Sequence, residues 1–110
     1  MSEAKRDATF RALADPSRRR VLDELALGER TVSELCALFE TTQPAISQHL
    51  RVLREAGLVR FNKVGRSRYY ALDSRPIRHV YDWAARYTQF WESRLDKLGR
   101  VLAREAERKR

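Results

Sequence analysis

Apolar residues recur at helical spacing through the first half of the chain. Residues 8–14 place Phe10, Leu13 and Ala14 on one stripe, which Asp15 and Pro16 then interrupt. Asp15 can cap a new helix whose first position is Pro16, where a missing N–H does no harm. That second helix is expected to reach about residue 27 and to bury Val21, Leu22, Leu25 and Ala26, with Gly28 just past its end where a left-handed cap is wanted. Its basic run, residues 18–20, reads as a solvated face. Thr31 and Glu34 form a capping box: the Thr31 hydroxyl accepts from the Glu34 N–H, and the Glu34 carboxylate reaches back to the Thr31 N–H. A short third helix, about residues 32–39, then carries Val32, Leu35, Cys36 and Phe39 at helical spacing. Thr41 or Thr42 can start a fourth helix that ends at Gly57.

Beyond Gly57 the period changes from helical to extended. Two short strands, residues 58–64 and 68–72, flank a basic turn at Gly65, Arg66 and Ser67 and predict a hairpin. From Pro76 onward a long helix is expected, with Val80, Trp83, Ala84, Tyr87, Phe90, Trp91, Leu95, Leu98, Val101 and Leu102 near a 3.6-residue repeat and Gly99 as a point of slight bending. The predicted fold is mainly α with a small β-hairpin, a winged helix-turn-helix in the order α-α-α-α-β-β-α. Residues 1–110 read as a single domain, with the helix-turn-helix over about 31–57, the wing over about 58–72 and a C-terminal dimerisation helix over about 76–107.

Charge gives this pattern a direction. The 110 residues carry a formal net charge of +8. Residues 1–50 hold seven Lys/Arg against eight Asp/Glu and residues 51–110 hold sixteen against seven, so the excess belongs to the second half. Such a balance fits a polyanionic partner without separating DNA from RNA, an anionic membrane surface or an acidic protein. No stretch approaches the ~20 consecutive apolar residues of a membrane span. The charged opening MSEAKRD is followed by no apolar signal core, so a cytoplasmic location is expected. Cys36 is the single cysteine, and with His49 and His79 it leaves little from which one chain could assemble a metal site, so neither metal nor cofactor is expected.

The two capped helices of the middle segment have the spacing of a bihelical DNA reader, whose second helix lies in the major groove. Projected at 100° per residue, Ile46, Leu50 and Leu53 form that helix's buried seam, while Pro44, Ser47, Gln48, Arg51, Arg54 and Glu55 spread over the opposite side. Gln43, Ser47, Gln48 and Arg51 suit base edges, since Gln can pair bidentately with adenine, Arg with guanine, and Ser with either. Thr42, Arg54, Lys63, Arg66 and Arg68 are the candidates for backbone phosphates or a neighbouring minor groove. Residues 41–72 hold six basic residues and one acidic residue, whereas a merely solvated face would mix signs.

The segments LADPSRRRVL (residues 13–22), TVSEL (31–35) and QPAISQHLRVLREAGLV (43–59) resemble the ArsR/SmtB family of winged-helix repressors, over about residues 8–73. The resemblance implies a homodimer on promoter operators of double-stranded DNA, with Gln43, Ser47, Gln48 and Arg51 on the base-reading helix and Arg66 and Arg68 on the wing. Many members release DNA on sensing a metal or another signal. Here the chain departs from the pattern. Members that bind soft metals through the third helix carry ELCxC, and residues 34–38 read ELCAL; the zinc-type ligands of the last helix are represented by His79 and Asp82 alone. Cys36 lies on an apolar stripe, which favours packing over redox or metal sensing. His49, at the edge of the seam, reads as a structural hydrogen-bonding histidine. The segment from Tyr81 to Leu98 resembles a metal-independent, aromatic-rich subgroup, and any small-molecule effector is unknown.

The aromatic stripe can line a small-molecule pocket or form a dimer seam. The seam is favoured, since a helix of about 30 residues spans about 45 Å, more than one small domain can cover. Phe10, Leu13, Trp83, Tyr87, Phe90, Trp91, Leu95 and Leu98 are the expected interface. The alternative to a DNA-binding regulator is a winged-helix interaction module whose basic wing meets an acidic protein. An enzyme is not expected: the chain has no Gly-rich phosphate loop, no nucleophile motif and no paired carboxylates at a plausible site.

Overall fold

The computed structural model describes residues 3–109. Its elements run α1 (Glu3–Leu13), α2 (Pro16–Leu27), α3 (Val32–Phe39), α4 (Gln43–Glu55), β1 (Val59–Val64), β2 (Ser67–Leu72), a 3₁₀ turn (Arg75–Ile77), α5 (Arg78–Ala85) and α6 (Thr88–Arg108). The chain divides into two compact units, one ending at Val80 and the other beginning at Tyr81.

In the first unit, α1 to α4 and both strands close around one core. Leu35, Leu53 and Leu58 are wholly buried there, with Val21, Leu25, Ile46, Leu50 and Val59 nearly so. Local chemistry fixes the joints. Asp15 caps α2 by accepting from Ser17 N (2.7 Å) and Arg18 N (3.3 Å). Burial alone would raise its carboxyl, but those two amides and the nearby Arg18 guanidinium hold it below the ordinary value.

Within the basic run of α2, Arg19 and Arg20 are exposed as their composition suggests while Arg18 is half-buried, and all three also make contacts within the chain. Arg18 Nε donates to Ala12 O (2.6 Å) and Arg19 Nη1 to Leu13 O (2.7 Å), so two guanidinium groups satisfy carbonyls at the end of α1. Arg20 lies over the Phe39 ring, 4.8 Å from its centroid. Three further expectations are corrected. Ala26 is exposed, because α2 meets the core only through Val21, Leu22 and Leu25. The buried face of α1 is Thr9 and Ala12, leaving Phe10 and Leu13 half-buried and Ala14 exposed. Gly28 ends α2 at φ +156°, ψ +168°, and the left-handed cap occurs one helix later, at Glu40 (φ +50°, ψ +46°).

The hairpin pairs Val59 with Leu72 through to Val64 with Ser67, in antiparallel register. Gly65, at φ +62°, takes the first position of its two-residue turn, where a tight hairpin needs positive φ. Arg30 and Tyr70 exchange backbone hydrogen bonds of 3.0 and 2.8 Å, fastening the segment before α3 to β2.

The order of elements matches the winged helix-turn-helix expectation, but the helix expected over 76–107 is divided. After the 3₁₀ turn, α5 stops at Ala85 and α6 starts at Thr88. At the break Arg86 N bonds Trp83 O and Tyr87 N bonds Ala84 O, tightened three-residue closures, while the Thr88 hydroxyl donates to Ala85 O (2.9 Å). Gly99 lies inside α6 and does not end it. None of the described residues in α5 or α6 is buried.

Candidate nucleic-acid interface

Three residues, Glu40, Thr41 and Thr42, join α3 to α4. The capping box of α3 forms as the spacing requires, with Glu34 N to Thr31 Oγ1 at 3.2 Å and Thr31 N to Glu34 Oε1 at 3.0 Å. The Thr31 amide and hydroxyl hold the Glu34 carboxyl below its ordinary value. Of the two threonines that could open α4, Thr42 does so by accepting from Ala45 N at 3.3 Å. Pro44 occupies the first turn, where its missing N–H costs nothing.

With its start fixed, α4 turns Ile46, Leu50 and Leu53 into the core and leaves Thr42, Gln43, Ser47, Gln48, Arg51 and Arg54 exposed. Arg51 Nε meets Glu55 Oε1 at 3.3 Å, an i,i+4 pair with both side chains roughly two-thirds exposed. Such a pair is weak in water and easily exchanged for a stronger anion.

The hairpin carries Lys63, Arg66 and Arg68, all exposed. Lys63 stands directly opposite Arg68, a like-charge cross-strand pair that disfavours the hairpin on its own. One residue that sequence reasoning missed steadies this arrangement. The guanidinium carbons of Arg54 and Arg68 lie 5.2 and 4.7 Å from the centroid of Phe61, which also packs against Tyr70 at 5.5 Å. A single ring thus fixes a cation from α4 beside a cation from the wing. The sequence shows only that Phe61 and Lys63, two apart on a strand, share its face; the contact with Arg54 depends on how α4 packs.

Asp73, just past β2, is buried and accepts from Arg75 Nη2 (2.6 Å), Nε and backbone N. The Arg75 guanidinium holds its carboxyl at about 2. His49 departs from expectation: its Nδ1 is buried with no hydrogen-bond partner among the described residues. Cys36 is half-buried against the core. Among the described residues no group of three or more His, Cys, Asp and Glu side chains is placed to hold a metal ion, and no helix is long and apolar enough to cross a membrane.

In the second unit, Trp83, Tyr87, Phe90, Trp91, Leu95 and Leu98 are each about half exposed or more. Trp83 and Tyr87 pack at 5.4 Å, and Tyr87 and Phe90 at 6.4 Å.

The sequence profile described as "bacterial regulatory protein, arsR family" matches residues 15–60. A transcriptional repressor SmtB homolog of Synechocystis is 40% identical over 80 residues, covering 73% of this chain and 61% of its own length. The arsenical resistance operon repressor of Escherichia coli is 35% identical over 95 residues, covering 84% of this chain and 78% of its own. The chain thus spans less than two thirds of the first relative and over three quarters of the second. A crystal structure of an ArsR family transcriptional regulator, RHA00566, superposes with a TM-score of 0.73 at 38% identity, covering 84% of this chain and 96% of that one. The solution structure of the homodimeric winged helix-turn-helix DNA-binding domain Mb0332 from Mycobacterium bovis superposes at 0.65 with 25% identity, covering 79% and 89%.

Proposed function

The chain belongs to the bacterial arsR family of regulatory proteins, and on that premise we propose that it is a homodimeric transcriptional repressor binding an imperfect inverted-repeat operator. The observation that carries this reading is the outward edge of α4. Gln43, Ser47, Gln48 and Arg51 are exposed along a helix fixed by its cap, its buried seam and the Phe61-centred clamp to the wing. These four side chains read base edges; Thr42, Arg54, Lys63, Arg66 and Arg68 meet the backbone.

Self-association is supported by α6. Trp91, Leu95, Leu98 and Leu102 follow a four-three-four spacing, the seam of a helix that pairs with another, and all are more than half exposed. Phe10, Leu13, Trp83, Tyr87 and Phe90 extend the proposed interface. The releasing signal is proposed not to be a metal at α3, since Leu38 stands where ELCxC would place a second thiolate beside Cys36.

The test is selection of bound duplexes from a random pool. The parent should recover a dyad whose half-sites are one turn apart, about 34 Å. The double variant Gln48→Ala/Arg51→Ala should lose selectivity between matched and mismatched half-sites by roughly 10- to 100-fold. Recovery of no dyad and no preferred sequence would overturn the reading. Unchanged selectivity in the double variant would instead favour a winged-helix module that meets an acidic protein.

A further inference from the structure

A cavity of about 160 Å³ lies on the flank of α4, lined by Ser17 and Arg20 of α2, Phe39 and Thr41 at the turn, and Ile46 and His49 of α4. It has room for one tetrahedral oxyanion, at about 30 Å³ for each water-sized group. His49, whose Nδ1 is buried and has no hydrogen-bond partner among the described residues, is one of its lining residues. A polar atom left without a partner is costly, so His49 gains from a hydrogen-bonding ligand at this cavity. The exposed side chains of Ser17 and Thr41 add two hydroxyls, and Arg20, laid over Phe39 at 4.8 Å, adds a fixed positive charge. Asp15, two residues before Ser17, already accepts from two backbone amides and pairs with Arg18 at 3.6 Å.

The position of this cavity names its occupant. Residues 49 and 54 are five apart on α4, so their side chains project about 140° from one another around the helix axis. Arg54 shares Phe61 with the wing, which places the wing on one flank of α4 and His49 on the other. A helix seated in a major groove about 12 Å wide has a phosphodiester strand on each side. We infer that Ser17, Arg20, Thr41 and His49 form a seat for one backbone phosphate, on the strand opposite the one that the wing approaches. The inference rests on the DNA-binding reading and adds to it a phosphate site on α2 and the turn. A phosphate gripped there fixes how far α4 rotates in the groove, and so which bases its outer edge meets.

The experiment is phosphate-ethylation interference on a duplex recovered by selection, with binding followed across salt concentrations. It compares the parent, Arg20→Gln, Ser17→Ala/Thr41→Ala, and Arg68→Gln as the wing control. The parent should show interference on both strands flanking each half-site. Arg20→Gln should abolish it at a phosphate that Arg68→Gln leaves affected, flatten the log–log salt slope by about 0.9, and lower the preference for the matched half-site. Ser17→Ala/Thr41→Ala should weaken binding with little change of slope. These are exposed positions, so unchanged thermal unfolding checks that the fold survives. If the parent binds its dyad while Arg20→Gln and Ser17→Ala/Thr41→Ala keep its interference pattern and slope, the seat is refuted and the DNA reading stands. If the parent selects no sequence, the DNA reading fails and the seat falls with it. If millimolar inorganic phosphate shifts the His49 ring resonances but duplex does not, the site serves a free oxyanion and the backbone assignment is overturned.

Discussion

The two compact units use the same apolar periodicity for opposite ends. In the unit that ends at Val80, the stripes of α2, α3 and α4 close on one another and on the hairpin, and Leu35, Leu53 and Leu58 lose all contact with water. In the unit that begins at Tyr81 the stripe is as regular, yet Trp91 is 51% exposed, Leu95 59% and Leu98 53%. A lone helix of 21 residues gains little from propensity and needs packing to persist. Periodicity therefore tells which side of a helix seeks cover, and not whether its own chain supplies it. The first unit is covered from within; for the second, a second copy is the cover proposed above.

The contrast can be broken most forcefully at the core. Leu53→Ala should cost about 2–5 kcal/mol, a large share of the 5–15 typical of a domain, measured by urea unfolding. A loss below about 1 kcal/mol would mean that the first unit is not closed by its own residues. Next in size, Leu95→Glu/Leu98→Glu should turn a dimer into a monomer in sedimentation while the winged unit keeps its cooperative unfolding. Operator affinity should then fall about 100-fold or more, because the second half-site is no longer held at high effective concentration. An unchanged sedimentation coefficient would show that this stripe is not the seam.

The smallest effect sharpens the comparison from inside the first unit. The Asp73 carboxyl is held at about 2, below its ordinary 3.8, so the folded state favours its ionised form. That contribution is fully present above 3.8 and is lost as pH falls through about 2. The stability difference between the parent and Asp73→Asn should be constant near neutrality and disappear on acidification through that window. It should be small, since the Arg75 side chain is 88% exposed and screened by water. A difference that grew on acidification would contradict the ion pair.

What was legible in the sequence was what nearby residues decide. The Thr31–Glu34 box, the Asp15 cap and the Ile46–Leu50–Leu53 seam each depend on residues within a few turns, and each formed as spacing predicts. The exposed edge of α4 followed, because a fixed seam leaves Gln43, Ser47, Gln48 and Arg51 nowhere but outside. Features that depend on distant partners were hidden. Arg18 looks solvated until α1 turns its carbonyls toward it. Ala26 looks buried until α2 meets the core through other positions. The break at Arg86 and Tyr87 has neither Gly nor Pro to announce it. Phe61 reads as an ordinary strand residue, and its role emerges only when α4 and β2 bring two arginines to one ring.

The paired hydrogen bonds between Arg30 and Tyr70 also bear on motion. They stitch the segment that leads into α3 to the strand that returns from the wing tip. Their two amides should exchange with solvent only when bihelix and hairpin open together, as one cooperative unit. The wing is then not an arm that settles onto a polyanion after arrival. The base of the wing is set beforehand, so association bears no entropic cost of ordering that part of it.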